Sequence, residues 1–265
     1  MLIKAALRCL PRQQSTPLPD APTLVRGKAS VAGARLTPMT TTAILEREMY
    51  TEAGAARLLD VPAGTLHYWL EGGRQGGKTY KPVICTEPKG SRFVTWAEFV
   101  EAGLLRQYRR DHNVPMWELR GFIDSLRRRL GVPYPLAHAA PFVASGRRLV
   151  WEAQDEVGLD GDLALVTEVG HQYVLSAAAA DFFARVTWQN DVATRWRPDE
   201  RAKSPVVIDP DVRFGDPTVD GISTEILWEL AEGGEAEEDL ADLYGLTVQQ
   251  VRFALAYEAT QAPAA

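Results

Sequence analysis

The stretch over residues 50–73, YTEAGAARLLDVPAGTLHYWLEGG, constrains this chain more than any other. From Thr51 onward Ala55, Ala56, Leu58 and Leu59 recur at helical spacing with Arg57 on the outer side, which predicts a short amphipathic helix to about residue 58. Asp60, Val61 and Pro62 end it, because proline disfavours the α conformation in the residue before it. The same proline suits the first turn of a following helix, predicted over 62–70. Along that helix Leu66 and Trp69 face inward with Val61, leaving Ala63, Gly64, Thr65, His67 and Tyr68 largely outward. Small residues let a backbone approach a DNA major groove, and short polar side chains can then meet base edges. Two short helices around a tight turn also occur in proteins that never touch nucleic acid, so context decides.

That context is RQGGKTYKPVI, a loop with cations followed by a β-like run, which predicts a wing against a flanking phosphate strand. Together, residues 49–83 resemble the winged helix-turn-helix of MerR-type regulators, through the pattern AARLL-x-V-P-x-x-T-L-x-Y followed by a basic wing. His67 stands where those helices often carry an arginine. The resemblance implies DNA binding. Thr65, His67 and Tyr68 are then expected at or near bases, Ala63 and Gly64 at the close approach, and Arg57, Arg74, Lys78 and Lys81 on phosphates. The same loop, residues 72–79, satisfies the pattern G-x-x-x-x-G-K-T of phosphate-binding loops. A helix precedes it and a proline-containing strand follows, whereas such a loop must leave a strand and enter a helix, so a basic wing is expected instead.

Charge divides the chain. Residues 1–150 hold 22 Lys and Arg against 12 Asp and Glu, a net +10, while residues 151–265 hold 7 against 23, a net −16, within an overall −6. The basic half suits DNA phosphate; the acidic half suits protein contacts or solubility. No apolar run approaches the roughly 20 residues of a membrane span. The run MLIKAALRCL is interrupted by Arg8 and has no cleavage signal after it, so neither export nor anchoring is expected. Cys9 and Cys85 lie in unlike contexts, and His67, His112, His138 and His171 lack metal-ligand spacing. A reducing cytoplasm, no metal, no cofactor and no catalytic residue are the expectations. Acidic pairs such as Glu237 and Glu238, or Asp209 and Asp211, have no His or nucleophile nearby and read as solvated or capping groups.

The expected fold class is mainly α with small β elements (α+β): a winged helix-turn-helix with a helical extension, then a small three-helix module with a short strand lead-in. Residues 1–48, rich in Pro, Thr, Ser, Ala and Gly, predict a flexible arm, or a true start at Met39 or Met49. The DNA-binding domain is expected over 49–140. Within it Thr95 and Glu98 form a capping-box pattern opening a helix over 96–110, with Phe99, Leu104, Leu105 and Tyr108 on its apolar face. A helix over 116–130 carries Leu119, Phe122, Ile123, Leu126 and Leu130 on one face. Its Arg120, Arg127, Arg128 and Arg129 are expected partly as a solvated face and partly on the DNA backbone or a dimer partner. A small antiparallel sheet is expected over 141–174, a helix over 177–196, and a charged linker over 198–205.

Residues 206–258 read as a distinct module, before a tail over 259–265. Val206, Val207 and Ile208 predict a strand; Phe214, Gly215, Pro217 and Gly221 punctuate turns. Three helices follow: one capped by Ser223 or Thr224, one over 237–244, and one over 248–258 capped by Thr247. Leu240, Leu243, Leu246, Val251, Leu255 and Tyr257 are the expected core. The residues I-D-P at 208–210, F-G at 214–215, Pro217, Gly221 and LADLYGLTVQQVRFALAYE at 240–258 closely resemble the antitoxin-associated family called domain of unknown function 433. Joined to the upstream helix-turn-helix, the architecture looks like a two-module VapB-type antitoxin, whose partner is a VapC-like ribonuclease of the PIN fold. That resemblance implies toxin neutralisation, repression of its own operon at operator DNA, and a homodimer, since one recognition helix seldom gives enough affinity alone. The toxin contact is expected at Arg195, Arg197 and Arg201 in a flexible segment, with Arg213, because arginine pairs bidentately with the carboxylates that hold a ribonuclease's metal. The alternative is a MerR-like homodimeric regulator controlled by a small ligand, with no toxin.

Overall fold

The structure is a computed structural model that describes residues 43–112, 116–159, 164–169, 171–201 and 203–261. It is α-rich, with five two-stranded antiparallel sheets among the described residues, an α+β arrangement as expected. In chain order the elements are β1 (Glu48–Thr51), α1 (Glu52–Leu58), α2 (Ala63–Glu71), β2 (Gly73–Gln75), β3 (Lys78–Tyr80), β4 (Phe93–Thr95), α3 (Trp96–His112) and α4 (Met116–Leu130). These are followed by α5 (Arg147–Val157), β5 (Val166–Val169), β6 (Gln172–Leu175), α6 (Ala177–Arg185), β7 (Val186–Gln189) and β8 (Val192–Trp196). The last stretch holds β9 (Thr218–Val219), β10 (Ile222–Ser223), α7 (Thr224–Glu232), α8 (Glu237–Tyr244) and α9 (Val248–Gln261).

One apolar core runs from Leu45 to Ile208, so the segments 49–140 and 141–197 share a single interior. Its centre is α3. Thr95 and Glu98 cap that helix reciprocally, the Glu98 amide donating to Thr95 Oγ1 (3.3 Å) and the Thr95 amide to Glu98 Oε2 (2.8 Å). Phe99 on α3 packs against Tyr50 of β1, Trp96 and, edge-on, Trp196 of β8. Trp96 donates its indole N–H to the Ala193 carbonyl at 2.7 Å, tying β8 to the same helix. The Tyr108 side chain and residues 1–42 of the arm expected over 1–48 lie outside the described residues.

Four expectations differ. The arm does not extend to residue 48: Leu45 is 4% exposed, and β1 pairs with β4 through Tyr50 opposite Val94. The sheet expected over 141–174 shrinks to the β5–β6 hairpin, because residues 147–157 form α5. Its Val150, Ala153 and Gln154 recur at helical rather than strand spacing on the buried face, and Arg148 pairs with Glu152 one turn on. The helix expected over 177–196 stops at Arg185, where Val186, Thr187, Val192 and Thr194 take over as a hairpin. Asn190 and Asp191, with φ of 48° and 70°, supply the left-handed turn that such a hairpin needs. Residues 197, 198 and 204 are tied down rather than loose: Arg197 donates to the Ala184 carbonyl (2.7 Å), Arg185 to the Pro198 carbonyl (3.4 Å), and Ser204 is 4% exposed.

A second core holds Val206, Val219, Leu227, Leu240, Ala241, Leu246, Val251, Ala254 and Tyr257. Thr247 caps α9 as expected, its hydroxyl accepting from the Gln250 amide at 3.2 Å while Gln250 Oε1 accepts from the Thr247 amide at 2.8 Å. Leu243 is not in this core: it stands 69% exposed. The cores are stitched by backbone, with Trp196 and Ile208 exchanging amide bonds of 3.0 and 2.8 Å and Val207 pairing with Thr218.

Candidate nucleic-acid interface

Local chemistry accounts for the α1–α2 unit. Thr51 Oγ1 accepts from the Gly54 amide at 3.1 Å, and Glu52 in the first turn complements the helix dipole. At the other end Asp60 takes a left-handed φ of 48°, so the Val61 amide reaches back to the Ala56 carbonyl and the Asp60 amide to that of Arg57, both at 3.0 Å. This is the two-bond closure of a Schellman motif, with Asp tolerated where glycine is commoner. Pro62 then serves as N-cap of α2, so the helix begins at Ala63, one residue after the expected start, and the Pro62 carbonyl accepts from Thr65 at 2.8 Å. Leu66, Trp69 and Leu70 are buried; Ala63, Gly64 and His67 are exposed; Thr65 is half-buried.

The glycine-rich loop is a hairpin. β2 and β3 pair Gly73 with Tyr80 and Gln75 with Lys78, and Gly76 and Gly77 have φ of 58° and 78°, the pair of left-handed residues that a tight two-residue turn requires. No helix follows it, so the phosphate-loop pattern is not realised. Arg74 bonds Thr79 across the strands at 3.3 Å. Lys78 stands exposed next to the turn. Lys81 pairs with Glu87 at 2.6 Å, both side chains 68% exposed.

Three predicted contacts have neighbours that the sequence did not signal. His67 Nδ1 lies 3.0 Å from Glu52 Oε2, so the outward face of α2 carries an internal ion pair when the imidazole is protonated. Tyr68 is a brace: its ring lies beside Gly73, and its hydroxyl accepts from Arg120 at 3.4 Å while Arg120 also donates to the Pro82 carbonyl at 2.9 Å. Arg57 acts electrostatically on carboxylates of the C-terminal module. Burial and Glu225 hold the Asp216 carboxyl above its usual range and Arg57 opposes them; burial does the same at Glu258, where Thr224 and Arg57 oppose it. Beside α1 and α2 runs a groove of ≈ 670 Å³ whose wall includes Glu52, Ala63, His67, Glu71 and Arg92. Glu71 there accepts from the amides of Lys89 and Gly90 at 3.2 and 3.1 Å.

The arginines of α4 are structural. Arg127 donates to the Ile84 and Pro133 carbonyls and pairs with Asp124; Arg128 and Arg129 pair with Glu156, and Arg129 also with Glu152. Those expected at a toxin are likewise engaged, except Arg213. Arg195 Nε sits 2.6 Å from Asp209 Oδ2, Arg197 is held at Ala184, and Arg201 grips both Asp199 oxygens at 2.9 and 3.0 Å. Arg213 is exposed.

Sequence reasoning missed the join between the α1–α2 unit and the module. Arg47 pairs with Asp211 at 2.7 Å and donates to the Pro210 carbonyl at 2.9 Å, and Tyr50 donates its hydroxyl to the Gly215 carbonyl at 2.6 Å. A Cβ added at Gly215, whose φ is 84°, would lie 2.5 Å from that hydroxyl and 2.6 Å from Met49 Cε. Next to it Arg213 and Phe214 adopt left-handed φ of 49° and 55°, and Phe214 is 90% exposed. Strain of this kind in non-glycine residues persists where its surroundings fix it, and it clusters at functional sites. The F-G-D-P run signalled only a turn. Beneath the α1–α2 unit lies a buried polar cluster that no motif announced. Glu98 accepts from Lys89 (2.8 Å), Tyr134 (3.2 Å) and the Cys85 thiol (3.4 Å). Burial pushes the neighbouring Glu101 carboxyl up to about 8, opposed by Arg127 and the Leu136 amide. Among the described residues no three His, Cys, Asp or Glu side chains form a metal-holding group, and no helix is long and apolar enough to cross a membrane.

Comparison with known proteins matches residues 206–257 to the family described as protein of unknown function DUF433, as the module's sequence anticipated. The chain is similar to the crystal structure of Rv2018 from Mycobacterium tuberculosis, with a TM-score of 0.65 and 26% identity, covering 80% of this chain and 99% of that one. It is 28% identical to a protein of the same organism named "Putative antitoxin VapB45", over 78% of this chain and 92% of that protein. It is also 34% identical, over 83% of its length and 93% of the relative's, to the uncharacterized protein Rv2308 of Mycobacterium tuberculosis. The chain belongs to the same family as Rv2308.

Proposed function

We propose that this protein is the antitoxin of a type II toxin–antitoxin pair, which reads operator DNA as a homodimer and neutralises a VapC-like PIN-fold ribonuclease. The observation that carries this reading is the similarity to the protein named as an antitoxin, which covers 78% of this chain and 92% of that protein. On the DNA side, Ala63, Gly64, Thr65 and His67 form the outward N-terminal half of α2, and Arg74, Lys78 and Lys81 lie on or just beyond the hairpin as phosphate contacts. In this reading Arg57 and Tyr68 position the unit and do not touch DNA. Repression of its own operon would follow from occupancy of that operator.

On the toxin side, the module offers exposed carboxylates at Glu238, Asp239 and Asp242 and, apart from them, the projecting Phe214 beside Arg213. The acids fit a basic RNA-binding surface, and an exposed aromatic on a fixed backbone is the kind of anchor that dominates an interface. The internal pairs of Arg195, Arg197 and Arg201 leave them poorly available for a metal site. The test is co-expression of the full chain with a PIN-fold ribonuclease encoded beside it, followed by copurification and a ribonuclease assay. The expected result is a stable complex with silenced ribonuclease, weakened at least about tenfold by Phe214→Ala, as for an aromatic hot spot worth above about 1.4 kcal/mol. A ribonuclease that neither copurifies nor loses activity overturns the antitoxin reading.

A further inference from the structure

A cleft of ≈ 380 Å³ opens between the α1–α2 turn, α3, the segment after β8, and the last turn of α9. Its volume falls within the range of small-molecule sites. Three carboxylates line it, Asp60, Asp199 and Glu200, against two guanidiniums, Arg106 and Arg201. Both guanidiniums are already engaged. Arg106 lies 3.3 Å from Asp60 and 3.6 Å from Glu200, and Arg201 binds Asp199 through two nitrogens. The charge balance of the wall is therefore one negative, with its cations committed.

Two further groups in that wall are uncommitted. Tyr257 is 2% exposed, and its hydroxyl has no hydrogen-bond partner among the described residues; neither has the buried Gln261 Oε1. Tyr257 shares the lining of the cleft with Asp199 and Arg106. A buried polar atom without a partner costs stability, so two of them on residues that line one cleft mark a place that a ligand would complete. An anion entering there would have to break existing ion pairs. A cation carrying N–H donors would break none: Gln261 Oε1 and the Tyr257 oxygen would accept, and Asp60 and Glu200 would supply the opposing charge.

We propose that this cleft is a binding site for a small cationic ligand bearing a primary ammonium or guanidinium group. The site joins the turn of the α1–α2 unit to the last helix of the module, so an occupant would bridge the two cores. It does not depend on the antitoxin reading, because its test reads binding alone.

The test is calorimetric titration of the full chain with agmatine and putrescine, with succinate as a dianion of similar size. Saturable binding of at least one cation is expected, with none by succinate. Tyr257→Phe combined with Gln261→Leu should weaken it at least about tenfold, since each removes an acceptor for a charged donor. Asp60→Asn is a second variant at a position whose side chain is 67% exposed, and asparagine tolerates the left-handed backbone there, so the fold is kept while the charge is lost. It too should weaken binding. No saturable heat from either cation up to about 10 mM, affinity unchanged in both variants, or equal binding of succinate would each overturn the proposal.

Discussion

Two helix pairs in this protein are built alike and dressed differently. In α1–α2 the turn closes through Val61 back to Ala56 with Asp60 left-handed; in α8–α9 it closes through Leu246 back to Ala241, at 2.9 Å, with Gly245 left-handed at φ 68°. Leu66 and Val251 occupy the same buried place in the second helix, and Glu52 reaches His67 as Glu237 reaches Arg252, at 3.0 and 2.6 Å. The surfaces diverge. Where the first pair has Ala53, Gly54, Arg57 and Leu58, the second has Glu238, Asp239, Asp242 and Leu243. Leu58 is 7% exposed and Leu243 is 69%. A basic hairpin follows only the first pair among the described residues. Backbone geometry therefore cannot say which partner a helix pair meets; charge and exposed apolar area on its outer face can.

The comparison can be broken most severely at the cores. Trp69, fully buried in α2, has the small Ala254 as its counterpart in α9, so the first pair depends on one large side chain and the second does not. Trp69→Ala should cost about 3–5 kcal/mol in chemical denaturation; a loss below about 1 kcal/mol would show that the first pair does not lean on that ring.

The next effect separates the cores by pH. Glu101 keeps its proton up to about 8 in the folded chain but ionises near 4.5 when exposed. Its folded pKa is raised, so its contribution is fully present below 4.5 and is lost as pH rises through about 8. Stability measured from pH 5 to 9 should fall, and Glu101→Gln should flatten that fall and gain most at the alkaline end. A variant whose pH profile is unchanged would remove Glu101 as the cause.

Surface charge should matter less to stability but more to partner choice. Under the proposed function, Arg74→Ala with Lys78→Ala should weaken operator binding about ten- to a hundredfold and lower the salt slope by about 2, one for each phosphate that the two cations would neutralise. Glu238→Gln with Asp239→Asn should leave it within about threefold. Equal losses from both double variants in a salt-titrated binding assay would erase the distinction between the two pairs.

The smallest effect concerns the shared ion pair. Arg252 is exposed and Glu237 partly exposed, and a double-mutant cycle should give about 0.2–1 kcal/mol. A larger coupling would mean that the pair is supported by neighbours, and that surface charge sets fold as well as partner.

Elements with local signals were legible in the sequence. The Thr95 and Glu98 capping box, the Asp60 to Pro62 break and the turn at Gly245 each act within a few residues, and each appears where the pattern put it. Helix and strand were confused at α5 and β7–β8, where short apolar runs fit either period and packing against the first core decides. The outward residues of α2 were legible in part: Ala63, Gly64 and His67 are exposed, but Tyr68 bends back to Arg120. Contacts such as Tyr50 with Gly215 leave no local trace, because their partners lie far apart in the chain. The internal partners of the arginines of residues 195–201, expected in a flexible segment, were not legible because composition cannot show an acceptor such as the Ala184 carbonyl.

The strand joint between Trp196 and Ile208 also bears on how such a protein can be taken apart. The family match begins at residue 206, but the two amide bonds that flatten Ile208 against Trp196 cross that boundary. A fragment cut at the match would carry an unpaired strand edge, a ready template for pairing with other copies of itself. A fragment that begins ahead of Val192 would keep the β8 edge covered on that side. In heritable terms the module cannot be shuffled as a bead on a string. It travels with the strand that completes it, so recombination at the sequence boundary yields an adhesive edge instead of a spare part.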